Sequence, residues 1–220
     1  MLSEKQAKTM LSLQAKMNGK VDSAWVQAHY PYLRAVVIEG AEAIEHHGWK
    51  WWKKQEHDLA QLQMELIDIW HFILSEILLK HEGSQTEARI ELLELASQID
   101  GQNEILFDGN TYALSDMDLL GKLELLIGLS AARRIDLTTF SSIMDNCDLS
   151  WTELFCQYVG KNVLNFFRQD NGYKQGTYQK IWNGREDNEY LVEIMAELDP
   201  EDTSFQSKLY DALATNYPVG

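Results

Sequence analysis

The chain has 220 residues, enough for one ordinary hydrophobic core, and 34 Asp and Glu residues against 19 Lys and Arg give it a formal net charge of −15 at pH 7. This charge argues against a general nucleic-acid or anionic-membrane surface, because both partners require a basic footprint. Cys147 and Cys156 match no disulfide framework and no metal-binding spacing. The first residues lack the shape of a signal peptide and no apolar run approaches the ~20 residues that span a bilayer, so we expect a cytoplasmic protein.

Apolar residues recur at helical spacing along most of the chain. A first helix over residues 3–18 places Gln14 and Asn18 on one face and ends at Asn18-Gly19, a pair typical of a left-handed cap. Further helices are predicted at about 32–47, 59–79, 84–100, 116–131, 136–146, from the capping box at Ser150 onwards, at 186–198, and from Asp199-Pro200 onwards. No strand alternation persists, so the predicted class is all-α.

Two pairs of carboxylates stand on two of these helices. Glu39 and Glu42 form the first pair, and Glu65 and Asp68 form the second after a spacer of 22 residues. Residues three apart on a helix lie on the same side, one turn above each other. Each pair is therefore expected to point in one direction.

The second acidic helix is apolar around most of its circumference, which predicts nearly complete burial. Its polar residues form one wedge: Gln61, Glu65, Asp68, Ser75 and Glu76. The predicted apolar stripe of the first acidic helix consists of Leu33, Val37, Ala41 and Ile44. Its glutamates are expected on the opposite side. Buried carboxylates need a compensating charge. Mg²⁺, which takes oxygen ligands and keeps waters for a phosphate substrate, is the economical candidate.

Residues 49–54, between the acidic helices, hold three tryptophans and three lysines. Taken alone, they are best interpreted as an apolar cluster that covers the turn, with the lysines in solvent. The same groups would also suit stacking of a base and attraction of phosphates.

Residues 101–115 contain Gly, Asn and Asp and form the longest predicted irregular link. This link is the best candidate for a hinge. We therefore expect a single domain over residues 1–220, with its core in about 1–100 and 150–200. Residues 101–149 are the candidate for a smaller, mobile helical lobe.

Positive charge is gathered in residues 161–185, where five basic residues stand against one acid, Asp170. The bases are Lys161, Arg168, Lys174, Lys180 and Arg185. Surface ion pairing is the commoner explanation of such a run. The tight turn at Asn171-Gly172 and the interleaved Tyr173 and Tyr178 also suit a phosphate clamp that closes on its ligand.

The pattern ExxE, a 22-residue spacer and ExxD resembles the signature of the all-α nucleoside triphosphate pyrophosphohydrolases, the MazG-like superfamily. Three segments are similar to the dimeric dUTPase family within it: GWKWWKK, ELIDIWHFILSE and GKNVLNFFRQDNGYKQGTYQKIWNGREDN. The resemblance spans about residues 10–80 and 158–190 and does not place the middle of the chain. It implies a helical bundle of that type, homodimerisation, and hydrolysis of dUTP to dUMP and pyrophosphate, which limits uracil in DNA and supplies dUMP for thymidylate. Attack on the β phosphorus, as in this family, would also explain hydrolysis of dUDP.

The resemblance also implies site residues. The matches to the ligands of two or more Mg²⁺ ions are Glu39, Glu42, Glu65 and Asp68, with Glu39 chosen to orient or deprotonate the attacking water. The matches to phosphate contacts are Lys161, Arg168, Tyr173, Lys174 and Lys180, and Asn165 matches a nucleoside contact. The matches to the uracil pocket are Gln14, Asn18, Trp51, His71 and Phe72.

Two alternatives to a dUTP pyrophosphatase stay open. A relative with another base preference, such as dCTP, would share the metals and the clamp and differ at Gln14, Asn18 and His71. A non-catalytic or di-metal helical bundle is more remote, because di-iron bundles use Glu-x-x-His pairs and this chain has only Asp68-x-x-His71. A scaffold would also have no need of a basic clamp.

Overall fold

The computed structural model describes residues 1–199, 202 and 204–218. Within them the α-helices are α1 (Glu4–Val21), α2 (Trp25–Ala28), α3 (Tyr32–His47), α4 (Leu59–Lys80), α5 (Gln85–Ser97), α6 (Leu119–Ala131), α7 (Leu137–Asn146), α8 (Trp151–Asp170), α9 (Asp187–Ala196) and α10 (Phe205–Asn216). Two 3₁₀ turns lie at Ile99–Gly101 and Leu114–Asp116. Two short antiparallel hairpins pair β1 (Glu104–Phe107) with β2 (Asn110–Ala113), and β3 (Ile181–Trp182) with β4 (Arg185–Glu186). The predicted all-α class is confirmed. No helix in these ranges combines the length and the apolar character that crossing a bilayer requires.

The hairpins correct the prediction that no strand forms and that residues 101–115 are irregular. Each hairpin turns at a two-residue loop, Asp108-Gly109 or Asn183-Gly184, and all four residues have positive φ. Such Asp-Gly and Asn-Gly loops match the twist of paired strands. The hairpin signal was therefore present in the sequence, in strands too short to show a persistent alternation.

Two helix boundaries also differ from the prediction. Helix α1 continues to Val21, two residues beyond Asn18-Gly19, because the Asp22 amide donates to Asn18 O and Lys174 Nζ donates to Val21 O at 2.5 Å. The final carbonyls thus have partners without a left-handed glycine. Helix α10 begins at Phe205 rather than at Asp199, and Pro200 lies outside the described residues.

Helix α4 is the centre of the core, and its predicted burial is confirmed. It packs against α1, α3, α5 and α8, and Leu66, Trp70 and Leu74 are completely buried. The Trp70 ring stacks on Phe140 of α7 with centroids 5.4 Å apart. Part of residues 101–149 therefore belongs to the main core. A smaller cluster joins the first hairpin to α6, and its members are Ile105, Leu114, Leu125 and Leu129. The movement of this region as a lobe stays a prediction.

The buried stripe of α3 differs from the predicted one. The buried residues are Leu33, Val36, Gly40 and Ala43, whereas the predicted member Ala41 is exposed. The reason is that α3 packs on both α4 and α6, and a Cβ atom at Gly40 would lie only 2.8 Å from Ile127 Cγ1 of α6. This rotation leaves Glu39 half-buried beside α4 rather than on the far side of the helix.

Candidate active site

One open cavity, here called the acidic cavity, collects the four predicted carboxylates and most of the predicted phosphate contacts. Its lining includes Glu39, Glu42, Glu65, Asp68, Lys161, Arg168, Tyr173 and Lys180. Helix α3 supplies the first acidic pair, α4 supplies the second, and α8 with the following loop supplies the bases. The fold thus brings together segments that lie more than a hundred residues apart in the sequence.

Three of the carboxylates converge on one region. Glu39, Glu42 and Glu65 each offer an oxygen, and these three oxygens lie within 4.8 Å of one another. Burial, reinforced by the neighbouring carboxylates, raises the pKa of Glu39 to about 8 and that of Glu65 to about 7. A hydrogen bond to Glu65 adds to the rise in the pKa of Glu39. An all-oxygen donor set with unbalanced negative charge fits a hard divalent cation such as Mg²⁺.

Asp68 and Lys161 form the boundary between the acidic and basic parts of this cavity. Lys161 Nζ lies 2.9 Å from Asp68 Oδ2, and the lysine side chain is only 2% exposed. The same Nζ donates to Asn188 Oδ1 at 3.1 Å. The lysine is thus held beside the carboxylates, where an anionic ligand would need a compensating charge.

Arg168 is held by Asp187, a residue that the sequence analysis missed. Arg168 Nε and Nη2 donate to the two carboxylate oxygens of Asp187 at 2.8 and 2.7 Å, and the carboxylate is completely buried. Tyr178 donates to Asp187 and Arg168 Nη2 also donates to Asn188 Oδ1, so the pair belongs to a network. In the sequence, Asp187 is recognisable only as a residue at the start of a predicted helix, and nothing local links it to Arg168.

A second cavity, here called the nucleoside cavity, collects most of the predicted nucleoside contacts. Its lining includes Gln14, Asn18, Tyr32, His71, Phe72, Ser75, Asn165, Arg168 and Tyr173. Arg168 and Tyr173 line both cavities. The two cavities therefore share a wall, and one elongated ligand could occupy both.

The polar groups of this second cavity have fixed orientations. Gln14 Nε2 donates to Asn18 Oδ1 and Ser75 Oγ, both at 2.9 Å. Gln14 Oε1 accepts from Tyr158 Oη and lies 2.7 Å from His71 Nδ1. An amide oxygen only accepts, so His71 carries a proton on Nδ1. Gln14 therefore orients its neighbours, and its predicted contact with the uracil ring stays a prediction.

Two buried polar atoms of the second cavity have no hydrogen-bond partner among the described residues: His71 Nε2 and Asn18 Nδ2. Burial lowers the pKa of His71 to about 4, so the ring is neutral at pH 7 and Nε2 has an unshared electron pair. His71 and Asn18 line the cavity, so one unpaired acceptor and one unpaired donor lie buried in its wall. A buried polar group without a hydrogen bond costs folding free energy, so these two atoms indicate that a polar ligand binds here.

Two predicted contacts lie elsewhere. The Trp51 side chain is 86% exposed and packs edge-on against Trp49 and Trp52, outside the lining of both cavities. Lys174 likewise lies outside both linings and binds the end of α1 through Val21 O. The assignments of Trp51 and Lys174 stay predictions.

His46 is a further residue of the acidic cavity that the sequence analysis missed. Its Nε2 atom lies 3.4 Å from Glu65 Oε1, and the ring lines the cavity. The signal was its spacing, since His46 follows Glu39 by seven residues and Glu42 by four and so shares their helix face.

Comparison with known proteins identifies the family. The profile of a family described as dUTPase matches residues 6–173, which include all four carboxylates and the middle of the chain that the resemblance left unplaced. Lys174, Lys180 and Asp187 lie beyond the matched range. No curated protein matches the chain at a significant level. The chain therefore belongs to the all-α dUTPase family, and it is a dUTP pyrophosphatase.

Proposed function

We propose that this dUTP pyrophosphatase holds two or more Mg²⁺ ions on Glu39, Glu42, Glu65 and Asp68 and hydrolyses dUTP to dUMP and pyrophosphate. The observation that carries the proposal is the convergence of three carboxylate oxygens within 4.8 Å of one another in the acidic cavity. This cavity shares a wall with the nucleoside cavity. Bound Mg²⁺ would offset phosphate charge and lower the pKa of a coordinated water. Hydrolysis of dUDP at the same site is part of the proposal.

Glu39 is the proposed residue that orients or deprotonates the attacking water. Its carboxylate is half-buried among the other acids and shares a hydrogen bond with Glu65, so its orientation is restricted. A base must lie within hydrogen-bond reach of the proton that it removes, and a restricted carboxylate meets this requirement better than a mobile one.

The triphosphate is proposed to lie along the basic wall of the acidic cavity. Lys161, Arg168 and Lys180 line this wall, and Tyr173 stands between the two cavities. Lys174 is retained as a proposed phosphate contact from the same loop, and it would first have to leave Val21 O. These groups would bind the phosphates through charge-assisted hydrogen bonds.

The uracil ring is proposed to bind His71 and Asn18. After a side-chain adjustment that exposes these two buried atoms, uracil N3–H would donate to His71 Nε2 and the uracil C4 carbonyl would accept from Asn18 Nδ2. Cytosine has a lone pair at N3 and an amino group at C4, so both contacts would become repulsive or unpaired. Phe72 and Asn165 complete the proposed nucleoside site, with Trp51 added on the resemblance alone. This pairing favours dUTP over the dCTP alternative.

A homodimer in the cytoplasm is the proposed form of the protein. An exposed apolar groove beside the nucleoside cavity is lined by Tyr30, Pro31, Tyr32, Arg34, Ala35, Ile38 and Phe72. Exposed apolar surface of this kind is typical of a face that another chain covers. The cytoplasmic location rests on the sequence expectation alone, and no nucleic-acid or membrane partner is proposed.

The test is a pyrophosphate-release assay with dUTP, dCTP, TTP and UTP, with and without Mg²⁺. We expect rapid release from dUTP, a loss of activity after chelation, and slow release from the other three nucleotides. Comparable rates with dCTP would contradict the assigned roles of His71 and Asn18. Full activity in a chelator would contradict the metal assignment.

A further inference from the structure

We propose that His46 supplies a nitrogen ligand to the metal site, in addition to the four carboxylates. This inference rests on the proposed metal site. Its consequence is a site that binds Mn²⁺ more tightly relative to Mg²⁺ than an all-carboxylate site would, because an imidazole nitrogen suits later divalent metals better than it suits Mg²⁺.

The helix places His46 on the correct side. Glu39, Glu42 and His46 stand at positions i, i+3 and i+7 of α3, so their side chains follow one face. The imidazole belongs to the lining of the acidic cavity and is one third exposed, with 33% of its side-chain surface accessible. A ligand at this position is therefore open to an incoming ion.

The backbone around His46 is held in place. The Asp58 amide donates to His46 O at 2.9 Å, which joins the end of α3 to the start of α4. Gly48 closes the helix through bonds from its amide to Ile44 O and Glu45 O. This anchoring fixes the base of the His46 side chain relative to Glu65.

The distance between the two side chains suits a shared ion. His46 Nε2 lies 3.4 Å from Glu65 Oε1. Two ligand atoms at right angles about an octahedral ion, with bonds of ~2.1 Å, are separated by about 3.0 Å. His46 Nε2 and Glu65 Oε1 are only slightly farther apart than this, so a side-chain adjustment would bring both within reach of one ion.

The competing role for His46 is a hydrogen bond to Glu65 that orients the carboxylate from outside the coordination sphere, as partners of metal ligands often do. The two roles differ in one measurable property. A directly bound imidazole nitrogen couples magnetically to Mn²⁺, whereas a ring that only donates to Glu65 leaves an all-oxygen coordination sphere.

The test is pulsed electron paramagnetic resonance of the protein loaded with Mn²⁺ in the absence of nucleotide. We expect modulation from a directly bound ¹⁴N nucleus, replaced by a ¹⁵N pattern when the protein is made with ¹⁵N-histidine. His46→Gln should remove the signal, and the matched control His29→Asn, at an exposed position on another segment, should retain it. The labelled wild-type protein decides the question even if the His46 variant folds poorly.

A binding titration gives a second measurement. His46→Gln should weaken Mn²⁺ binding about tenfold and Mg²⁺ binding by clearly less. Bound Mn²⁺ without nitrogen modulation, or equal losses for the two metals, would overturn the role of His46 and leave the carboxylate site intact. A protein that binds no Mn²⁺ at all would overturn this inference together with the proposed metal site.

Discussion

Gln14 on α1 determines the tautomer of the neutral His71 ring on α4. Gln14 Oε1 lies 2.7 Å from His71 Nδ1 and also accepts from Tyr158, so the histidine proton must lie on Nδ1. Nε2 then keeps an unshared pair without a partner among the described residues, and His71 lines the nucleoside cavity. The discrimination between bases that we propose for His71 therefore depends on a glutamine 57 residues away in the chain.

Replacing Asn18, the proposed hydrogen-bond donor to uracil, with a residue that only accepts should change base preference. In Asn18→Asp, a carboxylate oxygen replaces the amide nitrogen and would face a uracil carbonyl. An unpaired buried polar group costs about 1–3 kcal/mol, so kcat/KM for dUTP should fall roughly 10- to 100-fold, and the ratio of dUTP to dCTP turnover should fall with it. The assay is pyrophosphate release with each nucleotide. Asn216→Asp on α10 is the control, and an unchanged ratio in Asn18→Asp would contradict the assignment.

Removal of Asp187 should release Arg168. Asp187→Ala leaves a buried guanidinium without its counter-charge, which typically costs about 3–5 kcal/mol of stability. We expect a lower urea midpoint and a higher KM for dUTP, with partial recovery in Asp187→Glu. The matched control is Glu193→Gln, which breaks the exposed pair between Glu193 and Arg185 and should change neither quantity appreciably. Equal effects of the two substitutions would show that burial of the pair with Arg168 is unimportant.

The acidic site should make the stability of the metal-free protein depend on pH. The pKa of Glu39 is raised to about 8 and that of Glu65 to about 7, above the ordinary value of 4.5. Their protonated forms contribute stability that is fully present below pH 4.5, and this contribution is lost as the pH rises through about 7 to 8. The melting temperature should therefore fall between pH 6 and pH 9 in a chelator.

Addition of Mg²⁺ should raise the melting temperature more at pH 8.5 than at pH 6, because the deprotonated carboxylates bind the cation. The double substitution Glu39→Gln and Glu65→Gln should flatten both dependences. The measurement is thermal unfolding at each pH with and without Mg²⁺. An equal Mg²⁺ effect at the two pH values would contradict the assigned cause.

Substitution by alanine at one glycine of α1 and one of α3 should change the free energy of unfolding in opposite directions. A Cβ atom at Gly40 would meet Ile127 Cγ1 at 2.8 Å, so Gly40→Ala should destabilise the protein by about 1–3 kcal/mol through overpacking between α3 and α6. Gly19 has nothing within 4 Å of the same position, and Gly19→Ala should stabilise by about 0.5–1 kcal/mol through helix propensity. Urea unfolding measures both. A neutral Gly40→Ala would mean that α6 can move away from α3.

The sequence by itself determined the longer helices, the burial of α4 and the pairing of carboxylates on two helix faces, but not the short helix α2. These features follow from local periodicity, which depends only on the order of residues along each helix. Tertiary packing decided the rest. The close approach of α6 at Gly40 selected the buried face of α3. Asp187 was recruited to Arg168 across 19 positions, and Gln14 selected the tautomer of His71. Contacts between distant segments leave no local pattern in the sequence, because each depends on where two separate elements meet in space.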